Sequence, residues 1–307
     1  LISVTPVRVA VARAIPANLR IAAAAGIGIF LTFIGLKNAG FIVADPNTLV
    51  KFGTFGWQSA ATLIGIFLTV FLLKRKSSLA FLAGIGFVTL VALVFGWVKA
   101  PPQIFSLPDF QSVFFKLDIW SALKISLLPA IISIMFTDLF DSLSTFMGVS
   151  HAANLLDEDG QPKNLQQGLI VDSFATLSGG LFGSSPGTAY IESVAGIEMG
   201  GRTGLTAVFA ALCFLPCLFI APLAAVVPPY ATAVVLLLVG SFMFRSVKEL
   251  EFEHLEDALP AFLTIILIPL TFSITQGILW GVISYVALYL LAGRAREIHP
   301  LMYVLAL

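Results

Sequence analysis

The stretch GLFGSSPGTAYIESVAG, residues 180–196, interrupts a chain that is otherwise built of long apolar segments. Gly183, Pro186 and Gly187 each oppose a helix. Residues 184–190 are therefore predicted to form a short extended segment, after which the helical pattern resumes. Non-helical backbone is tolerated at membrane depth only where protein buries it or water lines it. Its free N–H and C=O groups predict a site for a polar ligand. The alternative is a re-entrant loop with a packing role only.

The composition of the whole chain is that of a membrane protein. Of its 307 residues, 58% are apolar and 11% are charged, whereas soluble domains carry about 25% charged residues. The mean hydropathy is +0.99. The 17 Lys and Arg residues balance the 17 Asp and Glu residues, so no net charge attracts the chain to nucleic acid. A cytosolic enzyme, a disordered chain and a nucleic-acid binder are excluded, and a polytopic protein in a lipid bilayer is predicted.

Nine apolar segments are long enough to cross a bilayer as helices, because a span needs about 20 apolar residues. They are 18–43, 57–73, 79–98, 122–149, 165–183, 204–221, 223–243, 257–274 and 276–293, with a broken half-span near 184–200. Lipid offers the backbone no hydrogen-bond partners and no alternating barrel pattern is present, so the predicted fold class is all-α. Residues 245–257 carry charges at helical spacing and are predicted to form a short interfacial helix.

Positive charges near the span ends predict the orientation. If the chain begins in the cytoplasm, twelve lie inside: Arg8, Arg13, Arg20, Lys74, Arg75, Lys76, Lys163, Arg202, Arg245, Lys248, Arg294 and Arg296. Five lie outside: Lys37, Lys51, Lys99, Lys116 and Lys124. Both ends of the chain are then cytoplasmic. Because the chain begins at Leu1 without a signal peptide and stops inside an apolar stretch, we interpret it as a piece of a longer protein that lacks its beginning.

Four acidic side chains lie inside predicted spans, where a charge costs about 2.5–3.5 kcal/mol: Asp138, Asp141, Asp172 and Glu192. Apart from Lys124, at the beginning of the 122–149 span, no Lys or Arg lies in the same spans to neutralise them. These acids must face protein or a water-filled cavity, or be protonated part of the time. A carboxyl group that can be neutral or charged in a membrane cavity is what proton coupling requires.

Asp138 and Asp141 lie three residues apart, so on a helix they share a polar face. Ser142 and Thr145 belong to the same face. This stripe indicates a functional site, and the alternative is hydrogen bonding between helices. Asp172 has small neighbours, for which structural packing is the favoured interpretation.

Four stretches make the chain resemble a known transporter family. They are FTDLFDSLSTFMGV (136–149), GSSPGTAYIESVAGIEMGGRTGLTAV (183–208), IPANLRIAAAAGIGIFLTFIGLKNAGFIV (15–43) and APLAAVVPPYATAVVLLLVGSFM (221–243). With these motifs in order, the chain resembles the nucleobase–cation symporter-2 superfamily and, within it, the AzgA-like purine permeases. The resemblance implies an all-α, uracil-permease-like fold of fourteen segments in two inverted repeats of seven.

The resemblance also implies a division into a core domain and a gate domain. Residues 1–121 would be gate helices (family segments five to seven), residues 122–221 core helices with the broken segment, and residues 222–307 gate helices and a tail. The chain would then be the C-terminal two-thirds of such a protein. The first four segments, with a second extended piece opposite 184–190, would be absent, so the chain would hold half of the family's site.

The family's acid in segment eight falls on Asp138, and its acid in segment ten falls on Glu192. The implied function is import of a purine base (adenine, guanine or hypoxanthine) with a proton, by alternating access. Glu192 would bind ring N–H groups, and the extended backbone would read the remaining edge. Asp138, Asp141 and Glu192 are the implied proton-coupling residues. The other implied substrate-binding residues are Ser185, Thr188, Ala189 and Tyr190.

No cofactor and no metal is predicted. A bacterial plasma membrane is the expected location, and a homodimer is an expectation by analogy with related folds. An anion transporter of the sulfate-permease type would use the same fold, but it would need a neutral or basic residue in place of Glu192. An intramembrane aspartyl protease using Asp138 and Asp141 would need its acids on two facing helices. A structural or channel subunit would neither bind nor carry purines.

Overall fold

The computed structural model describes residues 14–306, apart from residues 78, 100–102, 110, 128–130, 132–133, 136–137, 140, 144, 147–148, 151–152, 154, 156–161, 191–192 and 199. The described chain is mainly helical, which confirms the all-α prediction. The helices are α1 (Ala17–Asn38), α2 (Trp57–Lys74), α3 (Ala80–Val94), α4 (Ile119–Ala122), α5 (Leu165–Leu181), α6 (Ser193–Glu198), α7 (Gly204–Phe214), α8 (Ala221–Ala224), α9 (Pro229–Phe244), α10 (Leu255–Thr271), α11 (Ile274–Leu291) and α12 (Pro300–Leu305).

Shorter elements complete the described chain. Between residues 131 and 150, every described residue is helical. Turns of 3₁₀-helix cover Ile125–Leu127, Leu215–Leu218, Arg245–Glu249 and Ala295–Glu297. Strands β1 (Ile42–Asp45) and β2 (Leu49–Phe52) pair as an antiparallel hairpin between α1 and α2.

Three described helical segments are long and apolar enough to cross a membrane: α1, α2 and Pro229–Glu249, which is α9 with its 3₁₀ turn. Ala80–Val94, Gly204–Leu218 and Gln276–Leu291 are apolar but shorter. These segments agree with the corresponding predicted spans to within five residues at each end, except that Pro229–Glu249 begins and ends six residues later than the predicted span 223–243.

The first predicted span, 18–43, is wrong at its end, because α1 stops at Asn38. Gly40 has a left-handed φ of +76°. The N–H of Phe41 donates to the carbonyl of Leu36 (2.9 Å), and the N–H of Gly40 donates to the carbonyl of Lys37 (3.0 Å). These two bonds satisfy the last carbonyl groups of the helix, as in a Schellman motif. The apolar residues that follow enter β1 instead of prolonging α1.

The predicted interfacial helix over 245–257 is also wrong in part. Arg245–Glu249 form a 3₁₀ turn, residues 250–254 are not helical, and α10 begins at Leu255. The side chain of Asn18 binds the backbone of Glu251 twice: Oδ1 accepts from its N–H (3.0 Å) and Nδ2 donates to its carbonyl (3.1 Å). This amide replaces the partners that a helix would have supplied.

The described residues form two compact units. The first unit contains the described residues within 1–26, 109–206 and 246–307, and the second contains 27–108 and 207–245. The core of the first unit includes Leu139, Leu143, Leu165, Leu169, Val282, Tyr285 and Tyr289. The core of the second joins α2, α3 and α9 through Ala61, Val88, Ala92, Ala231 and Val234. The division into gate and core domains stays a prediction.

Glycine allows the close approach of α2 to its neighbours in the second unit. A Cβ atom at Gly65 would lie 2.6 Å from Val88 Cγ2 and 3.1 Å from Val234 Cγ2. Small residues at such positions permit the dense packing on which helix association in membranes depends.

Candidate functional site

Residues 184–190 lie outside any helix, as predicted. Helix α5 ends just before them at a left-handed glycine, Gly183, with a φ of +69°. The N–H of Ser184 donates to the carbonyl of Gly179 (2.8 Å), and the N–H of Gly183 donates to the carbonyl of Gly180 (3.1 Å). This pair of bonds is a Schellman cap. The chain therefore leaves the helix in a defined direction and returns to helical conformation in α6.

Hydroxyl groups connect the extended segment to a buried acid in the first unit. Ser142 Oγ donates to Asp172 Oδ1 over 2.8 Å and lies 2.9 Å from Thr188 Oγ1. Ser142 is fully buried, and Asp172 is 5% exposed. A serine hydroxyl has one proton. When Asp172 is ionised, that proton goes to the carboxylate, and Thr188 must be the donor to Ser142.

One face of α5 supports the segment along its length. Asp172, Thr176 and Gly179 lie four and three residues apart, so they share that face. Thr176 Oγ1 donates to the carbonyl of Gly187 (3.2 Å). A Cβ atom on Gly179 would lie 2.5 Å from the carbonyl oxygen of Ser185. The backbone of the segment thus runs in direct contact with the helix.

A cleft of about 500 Å³ opens beside this contact. That volume is within the range of small-molecule sites, which is roughly 300–1,000 Å³. The lining is largely apolar, with a few polar groups: Phe146, Gln167, Gly168, Val171, Asp172, Ala175, Gly187, Thr188 and Ala189. Such a lining suits a flat, partly apolar ligand that is oriented by a small number of hydrogen bonds. A second groove, of about 410 Å³, lies in the second unit, and Ser106 is the one polar side chain among the described residues that line it.

The structure brings some of the predicted site residues together. Thr188 and Ala189 line the cleft. The side chains of Ser185 and Tyr190 are exposed. Asp138 and Asp141 are half-buried on the helical stretch that carries Ser142, and Asp138 lies one turn before that serine.

Glu192 and its neighbour Ile191 lie outside the described residues. The helix after the extended segment is described from Ser193.

The burial of Asp172 and its hydrogen bond from Ser142 agree with the packing role that its small neighbours favoured. Asp172 also lines the cleft, which the sequence did not indicate. The sequence did contain one indication of the hydrogen bond. Asp172 is an acidic residue in a predicted span without Lys or Arg, and such a group needs a hydrogen-bonding partner.

Comparison with known protein families matches residues 1–280 to the family described as "Permease family". The chain belongs to this permease family. The protein is accordingly an integral membrane transporter and not an enzyme.

Two curated relatives show how much of a permease this chain covers. The adenine permease AdeP of Escherichia coli (strain K12) is 40% identical over 294 residues, which are 95% of this chain and 66% of AdeP. The guanine/hypoxanthine permease PbuO of Bacillus subtilis (strain 168) is 37% identical over 314 residues, covering 100% of this chain and 72% of PbuO. The chain spans about two thirds of the length of these relatives.

A solved structure shares the fold of the permease. The transmembrane domain of a cyanobacterium bicarbonate transporter, BicA, superposes with a TM-score of 0.62 at 18% sequence identity. The match covers 88% of this chain and 69% of that domain. At this identity the likeness establishes a common transporter fold and carries no statement about substrate.

Proposed function

We propose that this permease carries a purine nucleobase, namely adenine, guanine or hypoxanthine, together with a proton. The observation that supports the proposal most directly is the extended segment 184–190, which is held at the edge of a cleft by the Thr188–Ser142–Asp172 hydrogen bonds. The names of the relatives AdeP and PbuO, an adenine permease and a guanine/hypoxanthine permease, point to the same substrate class.

The recognition of the base follows from the chemistry of its edge. A purine presents N–H donors and ring-nitrogen acceptors in one plane. An extended backbone presents both C=O and N–H groups. Pro186 has no N–H, so the other residues of segment 185–190 would supply the donors that pair with that edge. Glu192 accepts hydrogen bonds from ring N–H groups, and such charge-assisted bonds are about twice as strong as neutral ones. Ser185, Thr188, Ala189 and Tyr190 complete this side of the site.

Coupling to protons rests on the acids of the helical stretch between 131 and 150. Asp138 is the proposed proton carrier, and Asp141 lies beside it on the same stretch. In a poorly solvated site the charged form of a carboxyl group is disfavoured. Binding of the substrate changes the solvation of that group, so protonation of the carboxyl group and binding of the substrate are linked. Loss of the proton on the cytoplasmic side would weaken binding of the base. The core (122–221) would then move against the gate (1–121 and 222–307).

Uptake assays on the full-length permease test this function. In cells or vesicles that contain it, we expect labelled adenine, guanine or hypoxanthine to accumulate, and uracil to compete poorly. A protonophore should abolish accumulation because it removes the proton gradient. Accumulation that depends on sodium and resists the protonophore would overturn proton coupling alone. Absence of purine transport, or accumulation of labelled sulfate instead, would overturn the nucleobase assignment.

Two adjacent glycines of α5 provide a matched test of the segment's position. Gly179→Ala places a methyl group 2.5 Å from the carbonyl oxygen of Ser185, so the extended backbone must shift. Overpacking of this kind costs about 1–3 kcal/mol, and we expect purine affinity to fall roughly tenfold or more. At Gly180 a Cβ atom meets nothing within 4 Å among the described residues. Gly180→Ala should therefore transport normally. Equal affinities for the two variants would show that the segment does not form the site.

A further inference from the structure

The β1–β2 hairpin of the second unit has no role in the transport mechanism proposed above. It joins the end of α1 to the beginning of α2, two helices that are long enough to span the bilayer. Its register pairs Ile42 with Phe52 and Ala44 with Val50. The alternate pairs are Val43 with Lys51 and Asp45 with Leu49.

One face of the hairpin is entirely apolar. Residues directly opposite each other in an antiparallel pair point to the same side, and the sides alternate along each strand. Ile42, Ala44, Val50 and Phe52 therefore share a face. Phe52 is 72% exposed and Val50 is 43% exposed. Ala44 is also exposed, and Ile42 is partly buried, so the described chain leaves most of this face uncovered. An exposed apolar face of this kind indicates a contact with lipid or with protein.

The opposite face carries the charges. Lys51 Nζ lies 2.9 Å from Asp45 Oδ2, across the diagonal of the ribbon. The Lys51 ammonium, followed by the backbone N–H groups of Asn47 and Thr48, lowers the pKa of Asp45 below its ordinary value. The Asp45 carboxyl group therefore stays ionised at neutral pH. The ion pair stands between two apolar side chains, Val43 and Leu49.

The position of the hairpin along the chain keeps it close to the membrane boundary. Strand β1 begins four residues after Asn38, and β2 ends five residues before Trp57. A four-residue strand is about 14 Å long. The interfacial layer on each side of the hydrocarbon is roughly 5–8 Å thick, so much of the hairpin lies within or beside it.

The exposed apolar surface continues from the hairpin along α2. Phe55 and Trp57 are exposed directly after β2, and Ile64 and Phe67 are exposed further along the helix. Tryptophan at the beginning of a span is typical of the bilayer interface. The hairpin face by itself covers only about 150 Å², whereas a stable contact between two proteins needs about 800 Å² from each partner. The surface that continues it belongs to α2, a helix long and apolar enough to lie within the bilayer. Lipid fits this surface better than a second copy of the chain does.

We propose that the hairpin is an interfacial anchor, with Ile42, Ala44, Val50 and Phe52 facing the lipid and the Asp45–Lys51 pair facing water. It fixes the α1–α2 connection at the depth of the headgroups. The inference is independent of the substrate, because it depends only on the two faces of the ribbon and on their distance from the spans.

Spin labels on adjacent residues test the assignment. In the full-length permease, with its native cysteines replaced (Cys213 and Cys217 among them), single cysteines are introduced as Phe52→Cys and Lys51→Cys and labelled with a nitroxide. The protein is reconstituted into phosphatidylcholine vesicles. Collision rates with oxygen, which enters lipid, and with a nickel chelate, which stays in water, are then compared. Val50→Cys repeats the measurement on the apolar face and serves if Phe52→Cys does not fold.

The expected pattern is an alternation between neighbouring residues. Oxygen should exceed the nickel chelate several-fold at positions 50 and 52, and the ratio should reverse at position 51. Access of the nickel chelate to all three positions would place the hairpin in water and overturn the proposal. Exclusion of both reagents from positions 50 and 52 would also overturn it, because another part of the protein or a second copy would then cover that face.

Discussion

Glu192→Gln should abolish binding and uptake of the preferred purine by the full-length permease. The substitution preserves the size of the side chain but removes its charge and turns one acceptor into an N–H₂ donor. A hydrogen bond to a charged group contributes about 1.5–3 kcal/mol. The new N–H₂ donor would also face the N–H donor of the base. The loss of binding free energy should therefore exceed the contribution of one hydrogen bond. Affinity of the variant for labelled adenine, guanine and hypoxanthine measures the effect.

Two controls separate a role in recognition from a general loss of protein. Glu192→Asp keeps the charge and should retain part of the uptake. Glu253→Gln removes an exposed acid of the connector before α10 and should leave uptake unchanged. All variants should reach the membrane in similar amounts. Unchanged affinity in Glu192→Gln would remove this carboxylate from the binding site.

Local chemistry explains why the extended segment was predictable from sequence. Gly183, Pro186 and Gly187 each limit the helix through their own backbone properties, and these effects need no distant partner. The same local reasoning located α2 and α5 closely, since each is an apolar run of helical length bounded by polar or glycine-containing stretches. The end of α1 was missed because the residues of β1 are as apolar as those of the span before them.

Contacts between distant residues explain what the sequence did not predict. The backbone of Glu251 is held by Asn18, 233 positions away. The carboxylate of Asp172 binds Ser142, 30 positions away, and the Ser142 hydroxyl lies within hydrogen-bonding distance of Thr188, 46 positions away from Ser142. Such pairs depend on how helices pack, which hydrophobic periodicity does not encode. An acidic residue in an apolar segment indicates that a hydrogen-bonding partner exists, but the sequence does not identify that partner.

Asp172→Ala should reduce purine uptake severely, although Asp172 was not among the site residues implied by the family resemblance. The change leaves the buried hydroxyl of Ser142 without the acceptor that it has in the structure. Leaving a buried polar group unsatisfied costs about 1–3 kcal/mol, and more when the lost partner is charged. Ser142 also meets Thr188, so the extended segment loses a defined attachment at the cleft. We expect uptake at low substrate concentration to fall roughly 10- to 100-fold.

The comparison variants for Asp172 distinguish a positioning residue from general helix destabilisation. Ser178→Ala changes an exposed residue of α5 whose hydroxyl binds the carbonyl of Phe174 one turn earlier (2.8 Å), and it should transport normally. Asp172→Asn keeps an acceptor oxygen for Ser142 and should lie between the wild type and Asp172→Ala. If Asp172 acts through Ser142, the double variant Asp172→Ala/Ser142→Ala should lose no more than the more damaging single change, because coupled residues are not additive. Fully additive losses would mean that the two side chains act separately, and the hydrogen bond between them would then not be what holds the segment in place.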